Sequence, residues 1–469
     1  MLNAITIIIL AVFLLLMAFL LLVRTKKGIV LSADNVIVLG AAAIWGILFP
    51  IIYFYSLQNP NNRYLIVISS YSAWDMVRYY VCIGVFLFFL VKTFRLFSDE
   101  SRLISPLSDD GDGGVSDEES DRLYIASVLL FAVGVISDVM YCWAYGGYLG
   151  YLEYSAFIRS GITDLVKNPW SFLIVFRDCV SVSSFLLFSQ LRKKGTVQTG
   201  RVVLFAASVI YSLMILFANR GRLSFLIYVV VFLMAYWMNK DKVKVIKIKN
   251  VCFVVIAFLA TVILFERISA WMGRTTEFDA VDLLCSEIAF CFSNFKMLLS
   301  EMRADDARFF LDIVSYPLFL LPSSFWRKII PDTASDFMTV LAFGSKKGQD
   351  GVLGETPIDS VSIGYLQLGL IGVFVFAVFF GIVAAKLYRW VLKLPVGRVR
   401  GTLSVYVMLE IFLRSLVYAD SYNIVQRSFS LIVFALIYWG VGLFQKKRSR
   451  VSGLTADQGL FREKFSNEP

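Results

Sequence analysis

The chain alternates between apolar runs of helix-spanning length and short polar breaks. A helix that crosses a bilayer needs about 20 mostly apolar residues. That pattern predicts spans at 4–23, 33–55, 73–91, 123–144, 171–190, 201–218, 223–238, 251–265, 361–385, 402–416 and 427–444. The expected fold is an all-α integral membrane protein of about 11 transmembrane helices, eight within residues 1–265 and three within 361–445. The first run has no basic leader and no small-residue cleavage site, so it reads as a retained helix and not as a signal peptide.

Three polar regions interrupt the pattern. Within the loop 99–121, the stretch "SDDGDGGVSDEESD" is acidic, glycine-rich and without large apolar residues, which predicts disorder. Its aspartates do not meet the spacing of an EF-hand. The tail 446–469 is polar and reads the same way. The segment 266–360 is different: "VDLLCSEIAFCFSNFKMLLSEM" repeats apolar positions at helical spacing. "FFLDIVSYPLFLLPSSFW" is apolar enough to lie in the membrane interface with Trp326 as an anchor. A glycine-rich run, "FGSKKGQDGVLGETPIDS", follows. A loop this long is more often functional than decorative.

Composition agrees with the spans: of 469 residues, 58% are hydrophobic and 17% charged, too apolar for a soluble domain. The net charge of +10 resides mostly in alternate loops, which places those loops in the cytoplasm. By that rule the N-terminus and residues 266–360 lie outside and the C-terminus inside. The basic surplus then meets anionic headgroups, so membrane lipids are expected as partners and nucleic acid is not. The sequence contains no histidine, and so lacks the commonest zinc ligand and the commonest general base. Any chemistry must run on carboxylates, Lys, Arg or hydroxyls. The cysteines are scattered and signal no disulfide.

Charges at the outer ends of the spans carry the functional signal. Arg78 follows Asp75 by one turn, Arg177 and Asp178 lie inside the fifth span, and Arg220 and Arg222 sit between the sixth and seventh. Arg414 and Arg427 bracket Asp420. A guanidinium near hydrocarbon costs at least about 2.5 kcal/mol and usually faces a cavity or a partner. Asp75 with Arg78 also fits an (i, i+3) pair, and Arg220 or Arg222 also fits snorkelling to headgroups. Several arginines at one level favour an anion at the outer face, gripped through planar, bidentate contacts. A polyprenyl diphosphate carrying a sugar has that chemistry. Arginines would hold it and stabilise charge on the leaving oxygen without a metal or cofactor.

Two stretches, "ANRGRLSFLIYVVVFL" and "ETPIDSVSIGYLQLGLIGVFVFAVFFGIV", resemble elements of the Wzy-type O-antigen and oligosaccharide repeat-unit polymerases, which are GT-C-like polytopic glycosyltransferases. The first resembles a small-Arg-Gly turn that starts a span, the second a large outer loop leading into glycine-rich apolar sequence. The paired arginine-X10-glycine motifs of some members have no counterpart in the outer segment. The resemblance implies a multi-pass protein of the bacterial inner membrane with a periplasmic N-terminus. It implies transfer of a glycan from one undecaprenyl diphosphate to the terminal hydroxyl of a new lipid-linked unit. A chain-length regulator protein is an implied candidate partner, and Arg220 and Arg222 are the implied diphosphate-binding element. On chemistry, Glu355 and Asp359 are candidates for general base or orienter. Arg78, Arg177, Arg274, Arg414, Arg427 and Asp420 are candidates for substrate binding. The rival readings are an O-antigen ligase, disfavoured by the absent histidine, and a lipid-linked oligosaccharide flippase, disfavoured by the long outer segment.

Overall fold

The computed structural model describes residues 8–13, 29–30, 33–98, 117–161, 166–193, 196–219, 222–241, 245–246, 280–395 and 397–466. The protein is all-α apart from two pairs of two-residue strands. Among the described residues seven helices are long and apolar enough to cross a membrane. They are α1 (Ala33–Gln58), α3 (Ala73–Ser98), α4 (Asp117–Trp143), α6 (Ser171–Ser189), α7 (Thr199–Ala218), α11 (Ser360–Leu392) and the first part of α13 (Ser421–Gln445). Shorter helices stand between them: α2 (Arg63–Ser69), α5 (Tyr148–Arg159), α8 (Arg222–Asp241), α9 (Ala280–Glu301), α10 (Ala334–Phe343) and α12 (397–417). This is a multi-pass membrane architecture. The run expected at 251–265 and most of that at 4–23 lie outside the described residues; every other expected run falls on a helix.

Two polar regions depart from expectation. The acidic loop ends earlier than its composition suggests, because α4 already begins at Asp117. Asp117, Glu118 and Glu119 occupy its first turn, where acidic side chains complement the positive end of the helix dipole. The tail is helical too, since α13 continues to Ser466. That part contains no proline to stop a helix already propagating.

Successive helices alternate in direction, so their ends sort onto two faces. One face gathers the ends of α1, α4, α7 and α12 and the starts of α3, α6, α8 and α13, and is covered by residues 280–360. The described basic residues Arg192, Lys193, Arg389, Lys393 and Arg398 lie on the other. The core runs between: α3 and α11 pack along most of their length, where Gly381 lets the helices close to van der Waals contact at Thr93. Gly134 does the same between α4 and α6, against the backbone of Val180.

Two helices contain a π-helical turn. In α1 it spans Ala42–Leu48, just before Pro50, whose ring and missing N–H would otherwise disrupt the regular ladder. In α12 it spans Val407–Leu413 and carries Glu410.

The expected span 361–385 is not one straight helix. At Leu368 and Gly369 the backbone leaves the helical region, with Gly369 at φ 58° and ψ −139°, a conformation natural to glycine. The short leg 360–367 folds back along the long leg, with the Gly364 carbonyl against Gly372 and room at Gly364 for no side chain, since a Cβ would sit 2.7 Å from Val373 Cα. The interrupted leg still satisfies its carbonyls: the amides of Arg308 and Phe309 donate to Leu366 O and Gln367 O at 3.2 and 3.1 Å. Phe309 and Phe310 take positive φ to reach it. Arg308, paired at 2.7 Å with Asp312, and Gln367, donating to Asp312 at 2.7 Å, hold the junction.

Candidate functional site

Five helices border a partly open chamber of about 120 Å³. Its charged walls are Asp178, where the 3-10 turn of α6 gives way to its regular part, Glu410 in the π turn of α12 and Arg427 in the second turn of α13. Asn219 and Ser224, which bracket the arginine turn between α7 and α8, line it as well, with Tyr228.

Local structure explains how these groups are aimed. Glu410 and Arg414 are one turn apart and pair at 2.5 Å. The same Arg414 nitrogen donates to Ser224 Oγ at 2.9 Å, tying α12 to α8. Beyond the end of α12, Tyr418 lies beneath two cations: the guanidinium carbons of Arg414 and Arg427 are 5.6 and 5.4 Å from its ring. Arg427 also donates to the Tyr418 carbonyl at 3.2 Å. Among the described residues it makes no ion pair. Two guanidinium groups over one ring repel each other, and only Arg414 has a carboxylate in contact; Arg427 shares the chamber with Asp178 but makes no direct ion pair among the described residues.

Asp178 stands across from them. It occupies the cap position of the regular part of α6, yet its backbone is helical (φ −66°, ψ −12°) and its side chain accepts no capping bond. Among the described residues its carboxylate has no hydrogen bond from protein. Asn219 is held from behind: Tyr151 Oη donates to its Oδ1 at 3.0 Å and Arg177 at 3.3 Å. With its oxygen engaged there, the amide nitrogen is the polar atom left for the chamber.

The residues singled out from the sequence divide sharply. Arg414 and Arg427 are at the chamber. Arg222 opens α8, and Arg220 lies outside the described residues, as does Arg274; Asn219 and Ser224 on either side of that turn both line the chamber.

Arg177 has a different place. It is fully buried, donates to Asp138 at 2.6 Å and Tyr151 at 3.1 Å, and lies over the rings of Tyr141 and Tyr151. Tyr211 closes the other side of Asp138 at 3.0 Å. This is a structural knot joining α4, α5, α6 and α7, not an anion site. Arg78 is exposed beside Trp74, at 5.5 Å from its ring. The (i, i+3) pair with Asp75 does not form, because Asp75 pairs instead with Lys296 at 2.7 Å.

The carboxylates Asp359, Asp420 and Glu355 also stand away from the chamber. Asp359 caps the short leg of α11, accepting from Val361 N at 3.0 Å and Ser362 N at 3.1 Å, and it is wholly buried. Burial pushes its carboxyl up to about 7 despite those amide bonds. Asp420 caps α13 through Tyr422 N at 2.9 Å and accepts from Ser335 N of α10 at 2.8 Å. Its carboxyl is raised as well, first by burial and then by Asp312. Glu355 lies 3.9 Å from Lys347 with 35% of its side chain accessible, and desolvation, then Asp420, raise its carboxyl to about 7. Trp326, expected as an interfacial anchor, is buried against Phe319 and Tyr422 at 4.9 and 5.2 Å.

Glu410 was not among the candidates read from sequence, nor was Asp178 assigned a role. Both had a signal: an acidic residue within an apolar run is a functional candidate by default. Comparison with family models, curated proteins and solved structures finds no match to this chain.

Proposed function

We propose that this chain is a glycosyltransferase of the bacterial inner membrane. It polymerises oligosaccharide repeat units carried on undecaprenyl diphosphate, transferring the growing glycan to the terminal hydroxyl of a new lipid-linked unit. In this reading residues 280–360 and the chamber face the periplasm, the chain crosses the membrane eleven times, and the C-terminus is cytoplasmic.

The observation that carries the proposal is Arg427. It is a cation within a bundle of apolar helices, at a chamber wall, next to a second guanidinium and without an ion pair among the described residues. Such an arrangement is costly unless an anion completes it. Arg414 and Arg427, with Arg220 and Arg222 from the adjoining turn, would hold the diphosphate. As the glycosidic bond breaks they would stabilise the charge growing on the leaving oxygen, a contribution of about 2.7–4 kcal/mol per well-aimed donor in comparable sites. The Asn219 amide, at the chamber wall, would orient a sugar or phosphate oxygen.

The test is genetic. Deleting the gene in its host and resolving the surface glycan by length should abolish the ladder while single repeat units remain attached. Loss of every unit would point to a ligase or flippase instead. Plasmid-borne Arg427→Ala, at normal abundance, should fail to restore the ladder. Full restoration would contradict the role of the chamber.

A further inference from the structure

We infer that Asp178 is the catalytic base, the group that takes the proton from the attacking hydroxyl; the assignment rests on the glycosyl-transfer reading above. The chamber has two carboxylates in its wall, and their situations differ. Glu410 is committed to Arg414 at 2.5 Å. Asp178 faces the same space with no hydrogen bond or ion pair from the described residues. A capping residue usually takes an extended backbone so that its side chain can fold onto the helix amides. Asp178 instead continues the 3-10 turn Ser171–Phe176 into α6 with helical dihedrals, which keeps its carboxylate off its own backbone. Arg177, the nearest cation in sequence, is turned the other way and held by Asp138. The outer carboxylates cannot serve: Asp359 and Asp420 are buried helix caps, and Glu355 does not line the chamber.

The step balances. The acceptor sugar hydroxyl attacks the anomeric carbon of the donor glycan, forming one C–O bond. The C–O bond to the diphosphate breaks, and its electron pair leaves on the diphosphate oxygen. The hydroxyl proton passes to the Asp178 carboxylate. One negative charge disappears at Asp178 as one appears on the diphosphate, so the chamber holds the same total charge before and after. That conservation suits a site walled by apolar helices, where an uncompensated charge is expensive. Arg427, across the chamber, faces the developing charge.

The experiment uses the full-length protein. Asp178→Asn keeps size and hydrogen-bonding capacity but cannot accept the proton; Asp178→Ser is made in parallel, and a variant of normal abundance and melting temperature is scored. The first readout is the glycan ladder in a deletion strain. The second is binding of undecaprenyl diphosphate to the purified protein in detergent. The expected result is a fall in polymer formation of about 10²–10⁴-fold, the range a positioned base supplies. Affinity for undecaprenyl diphosphate should change by less than about threefold, and Asp178→Glu should recover part of the activity. A ladder of normal intensity from either scored variant would overturn the assignment. Loss of undecaprenyl diphosphate binding together with the ladder would also overturn it, by making Asp178 a holding group. If the wild type binds no undecaprenyl diphosphate and gene deletion leaves the ladder intact, the glycosyl-transfer reading falls first, and this assignment with it.

Discussion

Arg177 and Asp178 follow each other in the chain, yet the first is closed in by Asp138, Tyr151 and two aromatic rings while the second faces the chamber without a protein partner. The regions around them differ in the same way. In the knot around Arg177 each charge has a counter-charge in contact, and the side chains that meet there come from four helices. In the chamber two cations share one ring, one acid is paired and one is not. Both regions are charged and lie in the membrane-spanning bundle. What separates architecture from a candidate site is whether the protein completes its own charges. The regions also touch, because Asn219 is gripped by the knot through its oxygen and borders the chamber.

The comparison predicts opposite failures. Arg177→Ala strands the buried Asp138 carboxylate, and breaking such a pair from one side costs about 3–5 kcal/mol. The expected outcome is loss of folded protein, read as abundance in membranes and melting in detergent. Arg177→Met combined with Asp138→Asn should recover much of that stability. Arg427→Ala should do the reverse, leaving melting unchanged or raised, because it removes a repelling cation, while polymer formation falls by about 10²–10³-fold. If Arg427→Ala unfolds the protein and Arg177→Ala does not, the division between the two regions is wrong.

Smaller effects sharpen the outer carboxylates. Asp359→Ala removes a helix cap and should lower stability by about 1 kcal/mol, whereas Asp359→Asn keeps an acceptor and should cost less. Because burial raises Asp359, the ionised form is disfavoured in the fold. The Asn variant should therefore gain on wild type as pH rises from 3.8 through about 7. Glu355 gives the smallest change. Its carboxyl is raised from 4.5 to about 7, so the fold favours the neutral acid, and the penalty for ionising it develops between those values. Glu355→Gln should match wild type in melting near pH 4 and exceed it slightly near pH 8, with loss of the Lys347 contact offsetting part of the gain. Melting curves at the two pH values decide it.

Much of the architecture was legible in apolar run lengths, because crossing a bilayer imposes a length that sequence displays directly. The level of the charges was legible too: Asp178, Asn219, Arg414 and Arg427 do gather at one end of the bundle. Which way each side chain turns was not. The helical position of Arg177 does not reveal that Asp138, 39 residues earlier, will meet it. Asp359 and Asp420 precede helices, and a capping role could be read from that position as easily as a catalytic one. The break at Leu368–Gly369 left a trace in the glycines of "GYLQLGLIGV", but a glycine within an apolar run also fits close helix packing, as at Gly381. Glu410 sits amid apolar neighbours, and its spacing from Arg414 is the one trace of the (i, i+4) pair it forms.

The central claim is that Arg427 takes a lipid diphosphate as its direct partner, and the direct measurement is binding. Purified full-length protein in detergent would be titrated with undecaprenyl diphosphate and, as a control, with undecaprenol, which lacks the anion. The account predicts saturable binding of the diphosphate, none of the alcohol at the same concentrations, and a loss of at least about tenfold in Arg427→Ala, equivalent to 1.4 kcal/mol. Equal binding of both lipids, or undiminished diphosphate binding by Arg427→Ala, would contradict it.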